Sequence, residues 1–158
     1  MKTTATSRFL WFERANKYFA VSMDHLQEVL PAPILRSLPV AEPALTGLIT
    51  LREHVLPIFD PASLASTELS PAASSPIVIV LALEGRPELG LLAEKVGKVV
   101  DLPAPTPLTF STRLSTAFSG ESTIPGLPRL LILDAIALAA MMGLADANPS
   151  NPQLLPAS

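Results

Sequence analysis

The chain contains no cysteine. That excludes disulfide frameworks, Cys-ligated zinc, iron–sulfur clusters and thiol nucleophiles. It has little charge: 16% of residues are Asp, Glu, Lys or Arg, and they leave a net charge of −3. No two basic residues are adjacent. A protein that tracks phosphates needs a basic stripe, and one that sits on anionic lipid needs a polybasic patch, so nucleic-acid and membrane-surface roles are not expected. Glycine is scarce at 7 residues, and no phosphate-binding loop is present: after Gly85 and Gly90 come Leu91 and Leu92, not Lys and Ser or Thr. The N-terminus lacks an apolar stretch of signal-peptide length. The longest apolar window, Leu130 to Ala145, has 16 residues and contains Asp134. A spanning helix needs about 20 apolar residues, so this window reads as core and the chain as cytoplasmic.

Apolar residues and proline are abundant. Apolar residues make up 49% of the 158, enough for a packed core without a staple. Seventeen prolines argue against long helices and long central strands. Short apolar runs with β-branched and aromatic residues recur: Arg8 to Glu13, Tyr18 to Met23, Thr46 to Leu51, His54 to Phe59, Ile77 to Leu83, Glu88 to Leu92, Lys95 to Leu102 and Arg129 to Leu133. Asp24 with Gln27 three residues on forms a capping-box pattern, which predicts a short helix from His25 to Leu30 stopped by Pro31. A second short helix is expected around Ala62 to Ala65. Asp134 caps a final helix to about Met142, with Gly143 as its stop. Gly97 suggests a bulge, and Pro103 to Pro128 reads mostly as loop. Eight strands without helical crossovers predict an all-β protein of small barrels.

The turn between Leu51 and His54 is the odd one. A two-residue hairpin loop needs positive φ and favours Asn-Gly, whereas this chain has Arg52-Glu53. Either the loop is longer, or something beyond local preference holds it. For catalysis, the two histidines, His25 and His54, offer little. A small hydrolase built on His54 and Asp60 is a remote alternative, lacking a nucleophile elbow. No spacing suggests a metal or cofactor site.

The segment Gly47-Leu48-Ile49-Thr50-Leu51-Arg52-Glu53-His54-Val55-Leu56-Pro57-Ile58-Phe59-Asp60 resembles the signature of CheW-like domains, the chemotaxis coupling proteins. That signature runs from a glycine through Leu-Arg-Gly to an apolar stretch with proline that closes on aspartate. Phe9 to Phe12 and Tyr18 to Met23 resemble the family's opening hairpin, and Gln27-Glu28-Val29 its short helix. Ile77 to Leu83, Gly90 to Leu92 and Val96 to Leu102 resemble its middle strands, and Gly126 to Leu138 its closing strand and helix. The resemblance implies two five-stranded SH3-like barrels packed together with a C-terminal helix. It implies one domain over residues 8–142, made of two interleaved barrels, with flexible tails at 1–7 and 147–158. It also implies a non-catalytic adaptor without cofactors, joining the regulatory domain of a CheA-type histidine kinase to the cytoplasmic tips of chemoreceptors. A coupling protein of a type IV pilus or other non-flagellar pathway is the alternative. The interface residues it implies are Gly47, Arg52, Glu53, Leu26 and Glu28. In this chain Glu53 stands where the family has glycine and Thr50 where it has asparagine. The first change removes easy access to positive φ and places a negative charge at the candidate interface.

Overall fold

Each of the short apolar runs becomes a strand. The computed structural model describes residues 6–33, 43–66, 71–73, 75–109, 112 and 114–141. In chain order these form β1 (Thr6–Arg14), β2 (Lys17–Ser22), β3 (Leu26–Pro31), β4 (Leu45–Leu51), β5 (His54–Phe59), α1 (Pro61–Ala65), β6 (Ile77–Leu83), β7 (Arg86–Ala93), β8 (Lys95–Pro103), β9 (Phe118–Ser122), β10 (Leu130–Leu133) and α2 (Ala135–Met141). A single 3₁₀ turn, Ser115–Ala117, precedes β9.

The strands make two five-stranded sheets, ordered β8-β1-β2-β10-β9 and β3-β6-β7-β5-β4. The chain leaves the first sheet after β2 and returns to it at Glu94, between β7 and β8. The β2–β10 and β5–β7 pairs are parallel, and the others are antiparallel.

Each sheet wraps a small apolar cluster of its own. Phe9, Ala20, Leu102, Leu130 and Ile132 fill the first, and Ile49, Leu56, Ile58, Val78, Val80 and Leu92 fill the second. The other faces meet in a shared core containing Phe12, Phe19 and Val21 from one sheet and Phe59, Ile79, Leu81 and Leu91 from the other. This arrangement explains the unbroken apolar run of β6: Val78 and Val80 face one cluster, Ile79 and Leu81 the other. Phe12 and Phe19 stack with ring centroids 5.6 Å apart in the shared core. Burying each such ring contributes about 1.5–3 kcal/mol. The expected all-β double barrel is therefore the fold.

Two sequence expectations need correction. The segment His25 to Leu30 is not helical; Leu26–Pro31 is the edge strand β3, paired antiparallel with β6. The spacing of Leu26, Val29 and Leu30 fits a helix, but burial alternates residue by residue. Six residues are too few for a helix to persist alone, whereas β6 offers a full row of backbone partners. Asp24 caps nothing, and its N–H donates to Ser22 Oγ within the preceding turn. The second correction lies in the supposed loop 103–128, where Phe118–Ser122 forms β9 against β10. Gly120 reads as a loop residue, yet it serves close packing: a Cβ there would lie 2.2 Å from the Thr106 carbonyl oxygen. Thr106 and Glu121 exchange both backbone hydrogen bonds at this point.

Other local readings hold. Gly97 and Lys98 oppose the single residue Trp11 across a bulge, and a Cβ on Gly97 would lie 2.1 Å from the indole. Asp60 caps α1 through Ala62 N–H, and Asp134 Oδ1 accepts from Ala137 N–H in α2. β1 opens at Thr6, two residues ahead of Arg8. The expected helix stop at Gly143 and the tail 147–158 lie outside the described residues. Among the described residues no helix is long and apolar enough to cross a membrane.

Candidate protein-interaction site

Strands β4 and β5 are joined by two residues only, Arg52 and Glu53, and both adopt positive φ, at 45° and 72°. The tight turn forms despite its unfavourable residues. What holds it comes from another strand. Arg52 donates from Nη1 to Glu28 Oε1 at 2.5 Å and from Nη2 to Oε2 at 2.8 Å, a forked pair 24 residues apart in sequence. Glu28 lies on β3 and Arg52 caps β4, and these strands are the two opposite edges of the second sheet. The pair therefore bridges the seam where the sheet curls toward closure. Its hydrogen bond from Arg52 holds the Glu28 carboxyl below the ordinary carboxylate range, and the same bond raises the guanidinium. The Arg52 side chain remains 62% exposed.

Of the five interface residues expected from sequence, the structure brings Arg52, Glu28 and Glu53 together at this tip. Glu53 is exposed and adjacent to Arg52. Leu26 is half-buried at the start of β3, opposite Leu81, and packs on the shared core. Gly47 is buried beside a bulge in β4 and faces Ile58. Neither lies at the turn itself: Gly47 pairs near the far end of the hairpin and Leu26 packs on the shared core. Sequence reasoning missed two apolar neighbours, Val55 at 54% exposure and Val29 at 41%. Both lie within runs that read as core; only the sheet's outer face leaves them open.

A second polar cluster, also missed, joins the two sheets. Arg14 ends β1 and is buried. Its Nε and Nη2 donate to the two Asp60 carboxylate oxygens at 3.0 and 2.9 Å, its Nη1 to Glu94 Oε1 at 3.0 Å, and Nη2 also to the Pro71 carbonyl at 2.7 Å. Burial alone would lower the guanidinium pKa, but the bonds to Asp60 and Glu94 outweigh it and raise it. Glu94 Oε1 also accepts from Ala15 N–H at 2.7 Å. The one sequence signal for this cluster is the aspartate that closes the Gly47–Asp60 motif.

The hydrolase reading required His54 near Asp60. They stand at opposite ends of β5, about 20 Å apart at strand rise. His54 is exposed, and Asp60 is buried with both oxygens engaged. No catalytic pair forms between them. Among the described residues no group of three or more His, Asp or Glu side chains is placed to hold a metal ion.

Comparison with known proteins agrees with this architecture. A family model described as the CheW-like domain matches residues 8–142. Among solved structures, the scaffolding protein TtCheW from Thermoanaerobacter tengcongensis superposes with a TM-score of 0.67 at 19% identity, covering 82% of this chain and 90% of that one. No curated protein matches the sequence significantly. With two five-stranded sheets in this order and a family match over most of its length, the chain belongs to the CheW-like domain family.

Proposed function

We propose that this chain is a non-catalytic scaffold of a chemosensory system, coupling chemoreceptor tips to the regulatory domain of a CheA-type histidine kinase. It works in the cytoplasm at membrane-associated receptor arrays, as a single domain spanning residues 8–142. The observation that carries this reading is the Arg52–Glu28 pair, set across the seam of the second sheet at a strained, exposed turn. A forked pair fixes the shape of the tip, and a fixed tip loses little entropy on docking. Individual contacts of this kind are weak, and an array strengthens them by multivalency.

Co-purification with purified kinase regulatory domain and with a receptor-tip fragment tests the reading. Arg52→Ala is expected to weaken capture without unfolding the domain. Exchanging the partners, Arg52→Glu with Glu28→Arg, is expected to restore the tip and part of the binding. Unchanged capture by Arg52→Ala would place the docking surface elsewhere. The non-flagellar alternative draws on one feature: Glu53 and Thr50 replace the family's glycine and asparagine at this tip, which favours divergent partners in a pilus-type or other output.

A further inference from the structure

The parallel pairing of β2 with β10 sets Tyr18 beside Leu130 and Phe19 beside Leu131. One residue earlier on each chain segment, Lys17 and Arg129 therefore stand side by side. Like charges on neighbouring strands repel and weaken the pairing. A carboxylate on the next strand relieves one of the two. Glu121 of β9 is buried and accepts from Thr109 N–H at 2.6 Å and from Thr109 Oγ1 at 2.9 Å. Its Oε2 lies 3.8 Å from Arg129 Nε, and Arg129 Nη1 donates to Thr109 Oγ1 at 2.9 Å. Arg129 is thus balanced and held in place. Among the described residues, the Lys17 side chain has neither a hydrogen bond nor an ion pair.

Lys17 and Arg129 line a cleft of about 260 Å³ together with Asn16, Tyr18, Pro128 and Leu131. None of these six residues is acidic. Tyr18, Pro128 and Leu131 give the cleft an apolar wall, and the Tyr18 ring is steadied by Trp11, with centroids 6.0 Å apart. The cleft therefore offers one uncompensated positive charge beside an apolar surface, in a space just below that of drug-sized ligand pockets. Inorganic phosphate would leave the wall unused, and a dianion would exceed the charge that faces it. A neutral apolar molecule would desolvate the ammonium without answering it.

We propose that this cleft binds a small organic carboxylate, a single negative charge on an apolar body. Lys17 holds the carboxylate, Arg129 adds to the positive field, and Tyr18 and Pro128 cover the body. The site belongs to the first sheet, whereas the Arg52 turn belongs to the second, so it does not depend on the docking reading above.

Titrating the ¹⁵N-labelled full chain with sodium benzoate at constant ionic strength, read by backbone amide shifts, tests the proposal. Saturable shifts at Lys17, Tyr18 and Arg129 are expected, with a Kd on the order of a millimolar. Benzyl alcohol, which has the ring without the charge, is expected to bind at least about tenfold more weakly. Phenyl phosphate, with the ring and a second charge, is expected to bind no tighter than benzoate. Lys17→Gln is expected to weaken benzoate about tenfold, and Lys17→Arg to stay within about threefold of the wild type, with Tm unchanged in both. No saturable shift with benzoate up to tens of millimolar would overturn the proposal. So would equal binding of benzyl alcohol, or a Lys17→Gln variant that binds like the wild type. Phenyl phosphate binding more than about tenfold tighter than benzoate would overturn the assignment to a singly charged anion. The comparison of benzoate with benzyl alcohol uses the unaltered chain, so it decides even where a variant fails to fold.

Discussion

Removing the buried guanidinium of Arg14 is the sharpest test of how the two sheets are joined. Arg14→Met keeps most of the side-chain volume and deletes the charge. Four hydrogen bonds disappear, and two carboxylates lose their cation. Breaking a buried ion pair by removing one partner costs about 3–5 kcal/mol, mostly because a charge is left buried. The two carboxylates differ in what they then meet. The Glu94 side chain is 26% exposed and keeps its bond from Ala15 N–H, so water and that bond offset the loss of the guanidinium. That of Asp60 is 7% exposed and, among the described residues, keeps its bond from Ala62 N–H. The expected loss therefore falls at the low end, about 3 kcal/mol. For a chain of this length that corresponds to a Tm lower by about 6–12 °C. Urea denaturation at neutral pH, read by Trp11 fluorescence, measures it, with an unchanged m-value expected. Adding Asp60→Asn removes the stranded charge while keeping an oxygen to cap α1, and is expected to recover more than half of the loss. A cost below about 1 kcal/mol for Arg14→Met, where a buried pair calls for more, would refute the argument. So would a double variant whose cost equals the sum of the two singles.

Three further outcomes follow from other parts of the fold. Glu53→Gly relieves a non-glycine residue at φ 72° and is expected to stabilise the domain by about 1 kcal/mol in the same denaturation assay. The Glu28 carboxyl, depressed by its bond from Arg52, is expected to titrate by NMR below the ordinary value of 4.5 and to return to it in Arg52→Ala. Because the folded value is the lower one, the pair's stabilisation is present at neutral pH and is lost as pH falls through that depressed value. Gly97→Ala forces a methyl group into the Trp11 ring, so it is expected to cost about 1–3 kcal/mol and to shift the indole emission, whereas an unshifted spectrum would mean the ring is free to move.

Much of this architecture could be read before any coordinates. The strand-like runs of β1 and β4, the apolar run of β6, the Asp134 cap and the Gly97 bulge are local features, and local chemistry dictates them. So is the motif from Gly47 to Asp60 that leads to Arg52. What the residues could not reveal was set by partners distant in sequence. Leu26–Pro31 is compatible with helix or strand, and only the open edge of β6 decides between them. Phe118–Ser122 contains the glycine and serines of a loop, and becomes a strand because β10 and Thr106 lie on either side. Arg52-Glu53 is poor turn chemistry that Glu28 makes workable from the far edge of the same sheet. Arg14, Asp60 and Glu94 are unremarkable singly, and form one network only where the two sheets meet. Sequence thus settled which segments extend and which faces are apolar, because those depend on neighbours within a few residues. Tertiary structure settled which charges pair and which surface stays open, because an ion pair depends on distance in space and not along the chain.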